Sequence, residues 1–484
     1  MQFDDQDAEQ IALAGGEPAR LLVVALVAHS AELGEELAEL RRLVKRDSTN
    51  SSMAPSSDPP KSRAERKKAA RTAYKRSMRK SGGQPGHEGK TRQKAPPERV
   101  DERIKHIPDR CECGHCFDGS EEQDGDPVIH QQWELPEIRA LVLEHQRLRL
   151  RCPGCRRSRL ADLPEPALSG YGPRMTAHIA VLAGIYRLSR DQIRQILVEA
   201  FGAPASKGAI DAAIMRMSRV MADPWEKLHE AVKGAEIAHA DETGWPLGDA
   251  QGWLWVAATS LIACYRIDPT RSQAAAKELL GADFGGIVVT DRYAGYHFLD
   301  VLQQQLCWCH LVRQLKELAA REGAAGKLGG RMLETAKKVF AVHRAYLGGG
   351  HEHAWLAEEL APLRKRFVNL LELGLRSRDD RMARFCGGLL AEEKALWTFA
   401  EIEGVEPTNN VAERAMRHGV LLRKLQGGTR SDEGARWIER VCSVRESCRL
   451  QGRSALEWMT RAAEAAYAGE VAPSLVPTAL AQAP

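Results

Sequence analysis

The stretch Glu236-Ile-Ala-His-Ala-Asp241 is where the hydrophobic pattern of the chain changes from the period of a helix to the period of a strand. Downstream, residues 252–259 and 261–267 predict a strand hairpin, residues 271–280 predict a helix, and residues 286–291 predict a buried strand. A strand, a hairpin, a helix and another strand in this order predict a mixed α/β sheet.

Helical segments flank the predicted sheet on both sides. Residues 174–222 have helical periodicity, and Ser189 and Ser206 are placed to cap two short helices across a tight turn. Such a pair fits a helix-turn-helix DNA-binding motif and a plain helical connector equally well. Residues 311–400 are helical throughout, and residues 408–465 predict two or three more helices.

Three acidic residues stand where a sheet can gather functional side chains. Asp241 and Asp291 each end an apolar strand, and Glu413 lies in the first turns of a helix that Thr408 can cap. Acids at the ends of adjacent strands converge on one sheet edge, and a glutamate on a crossing helix completes an oxygen-rich site that suits Mg²⁺. The residues that share this face of the helix are Asn409, Asn410, Glu413 and Arg417.

A site of this kind suits phosphodiester chemistry. One metal ion lowers the pKa of an attacking water or 3′-hydroxyl, and a second ion stabilises the leaving oxygen. Spacing alone leaves an alternative open, because aspartate after a strand is common at turns. Ordinary turn and helix-surface acids explain the same three positions equally well.

Two cysteine pairs have the spacing of a zinc site. In Cys113-x2-Cys116 and Cys152-x2-Cys155, each turn lets two sulfurs converge on one tetrahedral ion, and a ribbon of strands between the turns would close the site. Cys111 and His115 leave the ligand set open, and unrelated thiols are the alternative.

The charge of the chain is segregated. There are 69 Lys and Arg against 65 Asp and Glu, a net charge of +4. Residues 61–94 hold thirteen Lys or Arg and two Glu, so this basic arm is +11 and the rest of the chain is about −7. Cations at this density repel one another without a polyanion, which favours nucleic-acid phosphates as partners over a solvated charge run. The arm residues expected to contact DNA are Arg66, Lys67, Lys68, Arg71, Lys75, Arg76, Arg79 and Lys80.

The first 60 residues predict a helix and a linker. Residues 18–46 carry heptad-spaced leucines, which are typical of a coiled coil and equally of an amphipathic helix packed on its own domain. Residues 47–60 are rich in Ser and Pro and predict a linker. The longest apolar run, Leu21 to Ala28, is too short for a membrane span, and the acidic N-terminus does not resemble a secretory signal. We therefore expect a cytoplasmic protein.

At these motifs the chain resembles bacterial transposases of the DDE class, specifically the insertion sequence 66 family. The stretches Asn50 to Pro59 and Gly82 to Gly89 are similar to that family's linker signatures, and the two cysteine pairs match its zinc-finger module. The resemblance covers most of the chain. Its catalytic blocks are His239-Ala-Asp-Glu-Thr243, Asp291-Arg-Tyr-Ala-Gly-Tyr296, Cys307-Trp-Cys-His310 and Asn409-Asn-Val-Ala-Glu-Arg-Ala415, of which the last is the most specific.

The resemblance implies a ribonuclease-H-like α/β catalytic core with a helical insertion between the second Asp and the Glu. The family's catalytic acids fall on Asp241, Asp291 and Glu413, which would hold Mg²⁺ or Mn²⁺. For Cys307 and His310 we expect core packing and support of the site rather than metal ligation, because two residues cannot form a closed zinc site. The implied zinc ligands are Cys113, Cys116, Cys152 and Cys155, and the implied supporting residues are Cys307, His310, Asn409 and Asn410.

The sequence departs from the family pattern at Gly244, Cys309, Arg156 and Cys111, and none of these changes removes a catalytic acid. Basic residues near the last helices are candidates for phosphate contacts, with a solvated helix face as the alternative. They are Arg414, Arg417, Arg423 and Lys424.

Together these features imply a DNA transposase that binds the terminal inverted repeats of its element, cleaves the strand there and joins it to target DNA. We expect it to act on the nucleoid as a homo-oligomer, with accessory proteins of the same element. The alternatives are a DNA-binding regulator without catalysis and a metal-dependent nuclease without joining activity. The implied segments are an N-terminal helix (1–46), a linker (47–99), a zinc-finger module (100–165), a helical DNA-binding region (166–234), the core (235–310 and 405–450), the insertion (311–404), and a C-terminal helix and tail (451–484).

Overall fold

The computed structural model of the protein describes residues 93–163 and 165–478. The chain forms two compact units, residues 63–141 and the remainder, and each is described by itself. The predicted helix at 18–46, the linker at 47–60 and the basic arm up to residue 92 lie outside the described residues. No helix within the described ranges is long and apolar enough to cross a membrane.

In the described part of the unit formed by residues 63–141, turns and their hydrogen bonds stabilise the chain. A short 3₁₀ helix spans Pro97–Arg99. The side-chain amide of Gln131 accepts a hydrogen bond of 2.7 Å from the N–H of Ala95 and donates one of 3.0 Å to its carbonyl. At the first cysteine pair, the N–H of Cys111 donates to the carbonyl of His115.

In the described part of the other unit, the first regular structure is a two-stranded ribbon. β1 (Arg149–Arg151) pairs antiparallel with β2 (Ser158–Leu160), and the Cys152–Cys155 turn joins them. All six strand residues are exposed. The ribbon therefore frames one cysteine turn, whereas the sequence predicted a ribbon between the two turns.

A five-stranded mixed sheet forms the centre of this unit. In the order β5-β4-β3-β6-β7, the strands β3, β4 and β5 pair antiparallel, and β6 and β7 run parallel to β3. The predicted mixed α/β architecture is confirmed. The strands are β3 (Ile237–Leu247), β4 (Ala250–Ala258), β5 (Ala263–Asp268), β6 (Ile287–Thr290) and β7 (Gln304–Leu306).

β3 continues for six residues beyond Asp241, where the sequence predicted its end. Its antiparallel pairing with β4 extends to Leu247 opposite Ala250, and Gly248 closes the hairpin with a φ of 58°. Its parallel pairing with β6 covers residues 237–239 alone. The hairpin partner therefore extends the strand, while Asp241 still lies where the parallel pairing ends.

Thirteen α-helices surround this sheet in the described part of the chain, and the predicted serine caps of α2 and α3 are present. They are α1 (Pro173–Ala180), α2 (Arg190–Phe201), α3 (Lys207–Val220), α4 (Ala222–Lys233), α5 (Gln273–Leu280), α6 (Trp308–Ala319), α7 (Gly323–Leu347), α8 (His353–Leu375), α9 (Asp380–Ala391), α10 (Thr398–Glu401), α11 (Asn410–Gln426), α12 (Asp432–Leu450) and α13 (Ala455–Ala468).

Side chains of α12 satisfy the open edge of the sheet at β5. The N–H groups of residues 263, 265 and 267 point away from β4 and donate to oxygens of Ser447, Ser443 and Glu439, respectively, at 2.7–3.0 Å. The strand N–H groups that face the helix are two residues apart, and the helix side chains that face the strand are four residues apart. Each N–H group therefore meets one side chain. This arrangement closes an edge that would otherwise offer free backbone groups to another chain.

Two apolar cores lie against the sheet. The first contains side chains of β3, β4 and β5 with α1–α5 and α11–α13. The second belongs to α6–α10 and includes Val289 of β6 and Leu306 of β7. At its centre the rings of Trp308, Phe367 and Trp397 have centroids 5.1–6.5 Å apart. The helices at 308–401 therefore pack on the β6–β7 end of the sheet.

Candidate functional site

Asp241 and Asp291 lie side by side at the end of the β3–β6 pair. Residues 237–239 pair with 287–289, and the same offset carried forward by two positions sets Asp241 opposite Asp291. The Asp241 Oδ1 accepts the N–H of Glu242 at 3.0 Å, and the Asp291 Oδ1 accepts the N–H of Tyr293 at 3.0 Å.

The residue after Asp291 has an unusual backbone conformation. Arg292 lies in the left-handed region at a φ of 75°, which costs energy for a residue with a Cβ. Its Nε forms an ion pair of 2.7 Å with Glu392. Backbone strain of this kind concentrates at functional sites, where surrounding contacts hold it.

Glu413 reaches the same place from α11. The N-cap residue of this helix is Asn409, and not Thr408 as the sequence suggested. The Asn409 side chain is fully buried, and its Nδ2 donates to the carbonyl of Ala240 at 2.7 Å. This bond joins the start of the helix to the strand one residue before Asp241, and the N–H of Glu413 donates to the Asn409 carbonyl one turn later.

The electrostatics of the site favour a cation. Burial, together with the charges of Glu242, Asp291 and Glu413, raises the pKa of Asp241 well above its ordinary value. Packing like charges in a buried place is costly, and a bound cation or a proton relieves the cost. Carboxylate oxygens are the ligands that Mg²⁺ and Mn²⁺ prefer. The residues therefore fit an oxygen-ligated divalent metal.

Glu242 is a fourth acid that the sequence analysis did not assign. Its side chain is 1% exposed. Arg271 donates to its Oε1 from Nε at 2.9 Å and from Nη2 at 2.5 Å, and the Tyr296 hydroxyl donates to its Oε2 at 2.9 Å. Burial and the charge of Asp291 raise the pKa of Glu242. Glu242 is thus a paired acid, whereas Asp241 has no cationic partner among these contacts.

Aromatic rings hold Arg271 in place. Its guanidinium lies 3.9 Å from the ring centroid of Tyr293 and 5.0 Å from that of Trp253. The Tyr293 hydroxyl donates to the Arg271 carbonyl at 2.5 Å. In the sequence, two tyrosines three residues apart after Asp291 indicate this support. The sequence does not show that they contact Arg271 and Glu242.

Cys307 and His310 lie at the start of α6, directly beside Glu413. The N–H of Cys307 donates to the carbonyl of Thr290 at 2.8 Å, which places it next to the end of β6. The His310 Nδ1 is 3.7 Å from the Glu413 Oε1. Ligand atoms of Cys307, His310 and Glu413 all lie within 4.8 Å of one another. Asn410, which follows the buried Asn409, is half-buried.

The two predicted zinc-binding turns fall in different units of the chain. In the first, the backbone N–H of Cys113 lowers the pKa of the Cys111 thiol. In the second, the N–H groups of Cys155 and Gly154 lower the pKa of the Cys152 thiol. A lowered pKa favours the thiolate, the form of cysteine that binds metals, at Cys152 of the second predicted pair and at Cys111, which precedes the first.

The basic residues of α11 differ in their surroundings. Arg414, Arg417 and Lys424 are exposed. Arg423 is half-buried, and its Nη1 donates to the Thr243 hydroxyl at 3.0 Å and to the Gly244 carbonyl. This guanidinium ties the end of α11 to β3. The predicted DNA-contacting residues from Arg66 to Lys80 lie outside the described residues.

Comparisons with known proteins bear on this site. The model of the family described as "Transposase IS66 family" matches residues 169–437, more than half of the chain and all of the acidic site. A second model, a family of unknown function (DUF6444), matches residues 6–93. An uncharacterized protein, y4qI, of Sinorhizobium fredii is 26% identical over 266 aligned residues, covering 48% of this chain and 48% of that protein. The match thus spans about half the length of this relative.

Proposed function

The chain belongs to the IS66 family of transposases, and from that premise we propose that it binds the terminal inverted repeats of its element and performs metal-dependent strand cleavage and strand transfer. The observation that carries the proposal is the meeting of Asp241, Asp291 and Glu413 at one end of the β3–β6 pair.

The order of the strands supports a ribonuclease-H-like assignment for the core. Three antiparallel strands are followed by two that run parallel to the first, so the first strand, which carries Asp241, lies in the middle of the sheet. The second acid follows the neighbouring strand β6. We propose that residues 235–310 and 405–450 form this core and that residues 311–404 are its helical insertion.

The chemistry follows from the charge of the site. Asp241, Asp291 and Glu413 would hold two Mg²⁺ or Mn²⁺ ions, which lower the pKa of the attacking hydroxyl and stabilise the leaving oxygen. Water first breaks a phosphodiester bond at the element end and releases a 3′-hydroxyl. That hydroxyl then attacks a target phosphodiester, and the displaced target 3′-oxygen leaves. Arg271 keeps the charge of Glu242 paired, and Asn409 positions the helix that carries Glu413.

We further propose that the regions before the core supply most of the DNA affinity. The basic arm would neutralise phosphates, so its contribution should fall steeply with salt. Zn²⁺ held by Cys113, Cys116, Cys152 and Cys155 would fold a module that orients this arm. Catalysis on two element ends requires more than one subunit, so we propose a homo-oligomer on DNA, with accessory proteins of the same element as further partners.

The test is strand transfer by the full chain, with precut DNA carrying the inverted repeats that flank its gene, in Mg²⁺. Asp241→Asn should reduce joining by roughly 10²-fold or more, the scale set by losing one transition-state-stabilising group. The control Asp283→Asn, at an exposed position, should retain activity. Unchanged joining by Asp241→Asn would exclude the proposed chemistry and favour a DNA-binding regulator. Cleavage of intact ends without joining of precut ends would indicate a nuclease.

A further inference from the structure

A group of three different donor atoms lies beside the acidic site, and two of them, from Cys307 and His310, have no role in the chemistry proposed above. Cys307 precedes α6, His310 is in the first turn of that helix, and Glu413 faces them from α11. Their ligand atoms lie within 4.8 Å of one another. Cys307 is buried and the other two are half-buried, so the group is largely withdrawn from water.

Two of these donor atoms are buried with no hydrogen bond, and they meet only as a long ion pair when the His310 ring is protonated. The His310 Nδ1 and the Glu413 Oε1 are inaccessible to water and form no hydrogen bond, although they lie only 3.7 Å apart. Buried polar atoms are normally satisfied, so an unpaired couple of this kind indicates a missing partner. Because the two atoms point at one place, a single cation would satisfy both.

The third donor, the Cys307 sulfur, accepts a hydrogen bond from the backbone. The N–H of Asn409 donates to the Cys307 Sγ at 3.2 Å. Hydrogen bonds from surrounding groups commonly orient and stabilise the ligands of a metal. The same Asn409 fixes α11 to β3 through its side chain, so the sulfur and the Glu413 carboxylate are held by one residue.

We propose that Cys307, His310 and Glu413 form a binding site for a borderline-soft divalent metal, Zn²⁺ in the first place. Bonds of about 2.0–2.3 Å to a tetrahedral ion set its ligand atoms roughly 3.3–3.8 Å apart. The 3.7 Å between His310 and Glu413 is a few tenths of an ångström longer than this spacing for a nitrogen and an oxygen, and all three atoms lie within 4.8 Å of one another, so a bound ion would draw them slightly together. A sulfur, a nitrogen and an oxygen suit Zn²⁺, whereas Mg²⁺ requires oxygens.

This site shares Glu413 with the proposed Mg²⁺ site but takes its other two ligands from Cys307 and His310, so it does not depend on ions held by Asp241 and Asp291. It supplies three protein ligands and leaves the fourth position to water, as open zinc sites do. It uses the Oε1 of Glu413, so the other carboxylate oxygen is not needed for this ion. Binding must displace the thiol proton of Cys307, so uptake of the metal releases a proton.

The test uses Co²⁺, which reports thiolate ligation by a charge-transfer absorption, titrated into the metal-stripped full chain. Wild type should bind one thiolate-ligated ion more than Cys307→Ser, whatever the four cysteines of the paired turns contribute. His310→Ala should weaken binding of that ion at least about tenfold. The matched control Cys309→Ser removes a neighbouring thiol that is outside the group and should keep the ion.

The result that overturns the proposal is equal Co²⁺ uptake and equal absorption by wild type and Cys307→Ser, or loss of the ion in Cys309→Ser alone. Near-ultraviolet circular dichroism verifies that each variant is folded. If Cys307→Ser does not fold, His310→Ala and Glu413→Gln decide, because both must lose the ion.

The experiment also separates this proposal from the transposase chemistry. Asp241→Asn should abolish strand transfer and leave the Co²⁺ absorption unchanged. If wild type is inactive in strand transfer but shows the Co²⁺ absorption, the result counts against the transposase chemistry alone. If wild type is active but lacks the absorption, the result counts against the metal site alone.

Discussion

Replacing Arg271 with leucine should destabilise the unit that contains the sheet, because it leaves a buried carboxylate unpaired. Glu242 is 1% exposed and accepts both of its charged hydrogen bonds from Arg271, at 2.9 and 2.5 Å. The remaining partner, the Tyr296 hydroxyl, donates one neutral bond at 2.9 Å. Leucine is shorter than arginine and keeps only an apolar group in place of the first part of the side chain, so the guanidinium is lost.

The magnitude follows from the exposure of the two partners. Removing one member of a fully buried ion pair costs about 3–5 kcal/mol. Arg271 is 37% exposed, so water replaces part of its interaction, and about 2 kcal/mol is the appropriate figure. Its position 3.9 Å above the Tyr293 ring adds about 0.5–1 kcal/mol. We therefore expect a loss of about 2–3 kcal/mol.

The assay is thermal unfolding of the full chain at neutral pH without divalent metal. In domains of about 150–250 residues 1 kcal/mol shifts Tm by about 2–4 °C, so the expected loss of about 2–3 kcal/mol should lower the Tm of Arg271→Leu by about 4–12 °C. Arg461→Leu is the control, because Arg461 forms an exposed i, i+4 pair with Glu457 and such pairs contribute at most about 1 kcal/mol.

A double-mutant cycle shows whether the buried charge is the cause. Glu242→Gln removes that charge, so adding Arg271→Leu to it should cost about 2 kcal/mol less than adding it to wild type. A loss of stability in Arg271→Leu no larger than that in Arg461→Leu would show that the buried Glu242 carboxylate does not need Arg271. An equal loss with and without the Glu242 charge would show that the cause is not that charge.

Three further predictions concern the frame and the acids. Ser443→Ala should cost about 1–3 kcal/mol in urea unfolding, because it leaves the N–H of Tyr265 unsatisfied. Gly329→Ala should destabilise by about 1–3 kcal/mol, since its Cβ would lie 2.7 Å from backbone atoms of α6, whereas the neighbouring Gly330→Ala, with open space, should stabilise by about 0.5–1 kcal/mol; equal effects would contradict this packing. The raised pKa of Asp241 means that the folded state holds its proton more tightly than the unfolded state, so metal-free stability should fall as pH rises from about 4 through the folded pKa, and Asp241→Asn should remove that part of the slope in melts across pH.

The sequence predicts the elements of this fold better than their extents. Alternating apolar residues predict the hairpin and the strand that becomes β6, and Ser189 and Ser206 start their helices as expected. The end of β3 could not be predicted, because it depends on pairing with β4. The pairing of β3 with β6 is short and its pairing with β4 is long, so the two pairings end at different residues of β3. The apolar pattern of a single segment cannot show both ends.

The limits of prediction at the site have a similar cause. The three acids could be predicted as a group because Asp241 and Asp291 each follow an apolar stretch typical of a strand and Glu413 lies in the first turns of a predicted helix. Glu242 and Arg271 are 29 positions apart, and only the fold shows that they pair. The cap of α11 was misassigned for the same reason, since Asn409 starts that helix through a bond to a strand 169 residues earlier. Local capping rules describe helices whose first N–H groups are capped by a nearby side chain. The start of α11 is instead positioned by its bond to the sheet.

Asn409 therefore contributes to the geometry of the site alongside the acids. Its side chain holds α11 to β3 beside Asp241, and its main-chain N–H holds the Cys307 sulfur beside the end of β6. The two bonds hold the start of α11, the strand β3 and the start of α6 together. Glu413 lies one turn further along α11 than Asn409. A metal at the acids and a metal at the sulfur would each require Glu413 in this position. The buried amide thus sets the geometry for either ion.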